Sequence, residues 1–161
     1  MAAFVLLLAQ GHAHSFDTLR LEDQGNKPIV NLIKQSRQTL DILAYVITDK
    51  NIAIEIAEAA QRGVKVRILL DELQVRRNRY FQEDIMRSNR IEVRVLRAMW
   101  TTEFGIVDNN ILYTGGYLLH TDFIERPKRG FIFVFDRNSI DLRRFTSEFD
   151  HQFGLSKRLW W

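Results

Sequence analysis

The stretch that decides the fold is Thr39–Leu70, TLDILAYVITDKNIAIEIAEAAQRGVKVRILL. It opens with Thr39–Val46, in which alternate apolar residues share one side of a predicted strand. Asp49 is a good helix start, and the apolar residues after it recur at helical spacing until Gly63, which is typical of a helix end. Val64–Leu70 predicts a second strand. A strand–helix–strand unit with short connections predicts parallel pairing and an α/β fold.

Before this unit the sequence predicts one strand and one helix. Thr18–Asp23 alternates apolar and polar residues, which favours a short strand. Asn26 is predicted to cap the next helix, with Pro28 in its first turn. The buried face of that helix is predicted to hold Ile29, Leu32, Ile33 and the stem of Arg37.

After this unit the sequence predicts a helix at Tyr80–Asn89 and strands at Ile91–Leu96 and Phe131–Phe135. Ser139 is predicted to cap a final helix. Four apolar residues recur along that helix and predict its core face: Leu142, Phe145, Phe149 and Phe153.

A β-hairpin is predicted between these elements. Two β-rich runs, Phe104–Val107 and Ile111–Tyr113, flank the turn residues Asp108, Asn109 and Asn110. Asp108 is predicted to cap this turn. Everything before the hairpin reads as a scaffold that leads to it.

Composition describes one ordinary globular domain. The chain has 161 residues, of which 46% are apolar and 27% charged. It contains no cysteine, which excludes disulfides, thiolate metal sites and a cysteine nucleophile. No apolar run is long enough to predict a membrane-spanning helix.

The N-terminal residues 1–17 are set apart from a predicted domain at 18–161. Ala2–Ala9 is an apolar run of the length found in secretory leaders, and Gly11–Ala13 has the small residues of a cleavage site, but no basic residue precedes them. The run fits an atypical secretory leader as well as it fits a buried strand or helix. If it is a leader, the protein is exported; if it is not, a cytoplasmic protein is expected.

Arginine dominates the basic residues, and the net charge is +3. Between Arg76 and Arg97 the arginines fit a solvated surface with charged edge strands, and they also fit a rim that faces phosphate, beside Tyr80 and Phe81 for base stacking. Five residues are the phosphate or nucleic-acid binding candidates: Arg76, Arg77, Arg79, Lys128 and Arg129. The C-terminal Trp160 and Trp161 predict a docking or dimer contact.

Two phrases, Ile29–Asp71 and Phe104–Gly115 (FGIVDNNILYTG), resemble the phospholipase D superfamily, above all its small single-motif members of the bacterial endonuclease type. The resemblance extends over Leu19–Phe153. It implies a single domain with a mixed sheet flanked by helices, and a homodimer that pairs across the active-site face.

The resemblance implies that catalysis depends on a His-x-Lys-x-x-x-x-Asp motif, followed by Gly-Ser-x-Asn and a later Glu-Asn pair. One histidine attacks phosphorus, a second histidine protonates the leaving oxygen, and lysine and asparagine neutralise the phosphate. The resemblance implies no metal and no cofactor.

This sequence keeps the spacing of the motif but not its residues. Asp108 and Gly115 match, and Arg129-Gly130 replaces the Glu-Asn pair. Four other positions differ, with Thr101 for the histidine, Glu103 for the lysine, Gly116 for the serine and Leu118 for the asparagine. Threonine without an adjacent base is a poor nucleophile, and Glu103 is expected to repel the phosphate that lysine attracts.

The sequence therefore predicts a catalytically inactive phospholipase D-like domain with a binding or pairing role. Its predicted partners are a second copy of the chain, nucleic acid or other anionic phosphate groups, or an active homologue in a mixed dimer. The alternative is an active phosphodiesterase, a nuclease or phospholipase, with an unconventional site at His120 or a site completed by a partner subunit.

Overall fold

A computed structural model describes residues 16–20, 26–78, 81–88, 90–97, 102–115 and 131–159. The strands are β1 (Phe16–Arg20), β2 (Thr39–Ala44), β3 (Lys65–Asp71), β4 (Ile91–Leu96), β5 (Glu103–Val107), β6 (Ile111–Gly115), β7 (Phe131–Asp136) and β8 (Lys157–Arg158). The helices are α1 (Lys27–Gln35), α2 (Lys50–Gln61), α3 (Glu72–Arg77), α4 (Glu83–Met86) and α5 (Ile140–Leu155).

The described strands form one mixed sheet of eight strands in the order β1-β7-β6-β5-β2-β3-β4-β8. Strands β2, β3 and β4 are parallel, and every other neighbouring pair is antiparallel. The predicted α/β fold with a mixed sheet is confirmed. Every residue of β2 after Thr39 is buried, because this central strand is covered on both faces.

Helices cover both faces of the sheet. One face packs against α1 and α2 in a core that includes Ile33, Ile56 and Tyr113. The other face packs against α5 through Leu142, Phe149 and Phe153. The predicted phenylalanine stripe therefore lies in the core, with Phe145 partly buried beside it.

The predicted strand–helix–strand unit is confirmed, including its helix ends. The carboxylate of Asp49 accepts a hydrogen bond from the Ile52 backbone N–H at 2.9 Å, which caps α2. Gly63 follows the helix with φ of 93°, a conformation that favours glycine. Asn26 stands at the start of α1 as predicted, but its side chain does not cap that helix, because its amide donates to Asp49 at 2.9 Å.

Two predicted elements need correction. The helix expected at Tyr80–Asn89 is wrong in its extent, since α4 covers only Glu83–Met86. Helix α3 was not predicted. The carboxylate of Asp71 caps it by accepting a hydrogen bond from the backbone N–H of Gln74 at 2.8 Å. β1 begins at Phe16, two residues before the predicted strand, so residues 16 and 17 join the sheet.

Arg67 fastens α5 to the sheet. Its guanidinium donates to both carboxylate oxygens of Asp41 on β2 at 2.7 Å and pairs with Asp150 on α5 at 3.0 Å. The guanidinium carbon Cζ also lies 4.9 Å from the ring centroid of Phe149. The hydrogen bond to Asp41 is the main cause that raises the pKa of Arg67 above its ordinary value, against the effect of burial.

Candidate functional site

The first described motif position, Glu103, lies at the edge of the sheet where β2, β3 and β4 end. β5 runs antiparallel to β2, with Phe104 opposite Leu43, so Glu103 lies at this edge beside Tyr45. We call it the carboxyl edge. The described residues that border 98–101 and 116–130 also lie at this edge: Arg97, Thr102, Gly115 and Phe131.

Glu103 takes the lysine position of the motif, and its side chain is turned into the protein. Only 1% of the residue is exposed. Its carboxylate oxygen Oε1 accepts a hydrogen bond from the backbone N–H of Tyr45 at 2.9 Å. The structure thus gives Glu103 a role that the sequence analysis did not foresee. Instead of facing a ligand, the carboxylate holds the chain as it leaves β2.

Tyr113 and Gly105 lie on β6 and β5, two residues along the hairpin from Glu103 and its partner Gly115. They are opposite each other in the β5–β6 pair, and the tyrosine ring lies where a side chain on Gly105 would be. The Tyr113 hydroxyl is buried and has no hydrogen-bond partner among the described residues. Burial, and secondly the charge of Glu103, raise the pKa of this phenol well above its ordinary value.

Tyr45, Gly105 and Tyr113 lie in predicted strands, but the sequence did not indicate that they pack around Glu103. A glycine inside a predicted strand was the available signal, because such a glycine often marks the close approach of another group.

Asp108 lies at the other end of β5, about 17 Å from Glu103 at the usual rise of a strand. Its carboxylate accepts hydrogen bonds from the backbone N–H groups of Arg37, Gln38 and Thr39 at 2.7 to 3.1 Å. The expectation that Asp108 caps its own turn is wrong, since these donors belong to the loop after α1 and to the first residue of β2. The turn itself is confirmed, with φ of 53° at Asp108 and 47° at Asn109, as type I′ hairpin turns require.

The described arginines between Arg76 and Arg97 are largely engaged with neighbouring carboxylates. Three ion pairs of 2.7 to 3.0 Å involve them: Arg76 with Glu72, Arg87 with Glu83 and Arg94 with Glu92. Arg94 also donates to the carbonyl of Phe153, so it anchors the end of α5. Arg77 and Arg97 are exposed, and neither is ion-paired within the described ranges.

Comparison with known proteins identifies the family. The family model for the cardiolipin synthase, phospholipase D-like domain matches residues 29–153. The chain belongs to the phospholipase D-like family. No curated protein sequence matches it.

Several solved structures have the same fold. Nuc from Salmonella typhimurium, a phospholipase D family member, superposes with a TM-score of 0.78 at 17% identity, over 91% of this chain and 99% of that one. NucT from Helicobacter pylori gives 0.77 at 15% identity, over 91% and 100%. TrmBL2, an archaeal chromatin protein that binds DNA, gives 0.62 at 16% identity, over 90% of this chain and 55% of that one. At these identities the likeness establishes the fold.

In this phospholipase D-like chain, Asp108 matches the aspartate of the motif, and its carboxylate has a structural role. Asp108 ties the hairpin to the chain between α1 and β2, far from the carboxyl edge. Since that contact supports the fold at the opposite end of β5, it is compatible with an active or an inactive carboxyl edge. The match at Asp108 is therefore no evidence of activity.

Most of the other candidate residues lie outside the described residues. These are Thr101, Gly116, Leu118, His120, Arg79, Tyr80, Lys128, Arg129, Trp160 and Trp161. Within the described part of the chain, no cluster of three or more histidine, aspartate or glutamate side chains forms a candidate metal site. No helix among the described residues is long and apolar enough to cross a membrane.

Proposed function

We propose that this phospholipase D-like domain does not hydrolyse phosphodiesters and acts by binding anionic phosphate groups and by pairing with a second subunit. The observation that carries the proposal is the buried Glu103, at the position of the motif lysine, with its carboxylate bonded to the backbone of Tyr45.

The chemistry of the family explains why this observation matters. Phosphoryl transfer without a metal needs cationic side chains at the phosphate oxygens, where charge develops in the transition state. Glu103 supplies a negative charge instead, and turning it toward a ligand would leave the Tyr45 N–H without this acceptor, which costs about 1–3 kcal/mol. Thr101 in place of the nucleophilic histidine removes the other essential group.

The proposed ligand is the phosphate backbone of a single-stranded nucleic acid at the carboxyl edge. Arg97 follows β4 there, and α3 begins there and ends at the exposed Arg77. Arg79, Lys128 and Arg129 are the further proposed contacts. Arginine suits this task because its planar guanidinium binds two phosphate oxygens at once. TrmBL2, which shares the fold, is a DNA-binding chromatin protein, and that supports nucleic acid as the ligand.

Pairing across the carboxyl edge is the other half of the proposal. Small members of this family resemble the chain over nearly their whole length, and the sequence resemblance implied dimers across this face. The partner is a second copy of this chain, or an active homologue that supplies the missing groups. Native mass spectrometry of the purified chain, alone and with such a homologue, separates the two arrangements.

The binding half predicts a salt-dependent affinity for single-stranded DNA. Arg76→Glu with Arg77→Glu is expected to weaken binding at least about tenfold at about 50 mM salt, because the Arg77 contact is lost and two neighbouring positions become negative. Fluorescence anisotropy with a labelled oligonucleotide measures the change. The matched control, Lys34→Glu with Lys65→Glu, changes the net charge equally at exposed positions away from the carboxyl edge. If single-stranded DNA does not bind even at low salt, the pairing role alone survives.

A further inference from the structure

The opposite edge of the sheet carries a row of exposed basic side chains. We call it the amino edge, since β2, β3 and β4 begin there. Five exposed cationic side chains belong to it: Lys34, Arg37, Lys65, Arg90 and Arg137. The proposed function does not use this edge.

The strand register brings these residues together from distant parts of the sequence. Lys34 is in the last turn of α1, and Arg37 follows in the loop before β2. Lys65 opens β3 opposite Thr39, and Arg90 immediately precedes β4. Arg137 follows β7, whose last residue pairs with the first residue of β6. From β7 to β4 the row crosses five strand spacings, about 24 Å.

None of the five cations is ion-paired with any residue that the structure describes. Carboxylates also lie at this edge, and two of them accept backbone N–H groups: Asp108 from the loop before β2, and Asp136 from Asn138 at 2.8 Å. Among the described residues, the Arg90 guanidinium donates one hydrogen bond, to the carbonyl of Gln61 at 3.2 Å. The described residues thus leave most cationic donors of this edge unengaged.

We propose that the amino edge binds the phosphate backbone of duplex nucleic acid, without sequence preference. A row of exposed cations about 24 Å long matches about seven base pairs at 3.4 Å each, and neutralising phosphates releases counterions from the duplex. Arginine and lysine contacts of this kind fix position but do not read bases. The domain would then carry two separate phosphate-binding surfaces, at opposite ends of its strands.

The composition of the amino edge favours a duplex over a single strand or a membrane. Among the side chains that the structure describes, no exposed aromatic ring lies at this edge, so they offer unpaired bases no ring on which to stack. One exposed large apolar residue lies near it, Ile140 at the start of α5. A single isoleucine gives little anchoring in a bilayer, where interfacial segments bury a continuous apolar face.

Charge reversal on the intact chain tests the proposal. We expect Lys34→Glu with Lys65→Glu to weaken binding of a labelled 30-base-pair DNA at least about tenfold at about 100 mM salt, and to lower the salt slope by about two. Both side chains are exposed, and circular dichroism checks that the variant is folded. Lys34→Gln with Lys65→Gln is expected to give a smaller loss in the same direction.

The matched control is Lys50→Glu with Lys157→Glu, which changes the charge equally at two exposed positions outside both proposed surfaces and is expected to weaken duplex binding less than about threefold. Equal losses in the two lysine pairs would show binding by overall charge and overturn the proposal, as would a loss confined to the control pair. Tighter binding to vesicles of anionic phospholipid than to the duplex, removed by Lys34→Glu with Lys65→Glu, would also overturn it. Because the single-strand experiment depends on the arginine pair, the two proposals fail separately.

Discussion

Glu103→Lys is expected to lower the free energy of unfolding by about 4 kcal/mol rather than to restore a catalytic lysine. The substitution buries an ammonium group at a position that is 1% exposed and replaces the Glu103 acceptor of the Tyr45 N–H by a donor. For a chain of this size the melting temperature should fall by about 10 °C. Thermal and urea unfolding followed by circular dichroism measure both quantities.

Glu103→Gln is the matched control for this variant. Its side-chain carbonyl can still accept from Tyr45, so we expect a loss of only about 1 kcal/mol. If Glu103→Lys is as stable as the parent chain, the carboxylate does not hold the end of β2, and the structural role given to Glu103 is wrong. A gain of phosphodiesterase activity in that variant would contradict it as well.

Gly105→Ala is expected to lower the free energy of unfolding by about 3 kcal/mol. A methyl group on Gly105 would collide with the ring of Tyr113, which is 1% exposed and packed against the core. Neither the strand nor the ring has free space to move into, because interiors are close-packed. Denaturant unfolding at constant temperature measures the loss.

Two further variants isolate the collision. Gly154→Ala, on the exposed side of α5 with nothing within 4 Å of the added methyl, is expected to stabilise the chain by about 0.5–1 kcal/mol. Gly105→Ala combined with Tyr113→Leu should recover part of the loss, since the shorter side chain makes room for the methyl group. A Gly105→Ala chain with unchanged stability would contradict the packing described here.

Local patterns predicted the parts of the fold that local interactions determine. The β2–α2–β3 unit carries its own signals, an N-cap at Asp49 and a left-handed glycine at Gly63. The hairpin has a turn sequence whose residues adopt positive φ. α3 was missed because Asp71 both ends β3 and caps the helix, so the sequence there read only as the end of a strand.

Long-range contacts explain why the site was only partly predicted. Asp108 reaches backbone groups some 70 residues earlier in the chain, a contact that no local pattern indicates. Glu103 follows the same rule, because its acceptor role depends on the antiparallel pairing of β5 with β2. The motif comparison assigned both residues to motif positions, but the chemistry of each depends on what the fold places beside it.

The two proposed surfaces lie at opposite ends of the strands. The carboxyl edge holds Glu103 and the exposed Arg77 and Arg97, whereas the amino edge holds the row of cations that have no ion pair with a described residue. An inactive phospholipase D-like domain with these surfaces would bridge two segments of nucleic acid. The charge-reversal pairs described above separate the contribution of each edge.

A hydrolysis assay on the purified chain tests the central claim most directly. The substrates are bis(4-nitrophenyl) phosphate and single-stranded DNA, with a chelator present, since the family chemistry relies on side chains rather than a metal. We predict no turnover above the buffer background at any protein concentration. Turnover that rises with protein concentration and disappears in His120→Ala would contradict the account and establish an active phosphodiesterase with a rebuilt site.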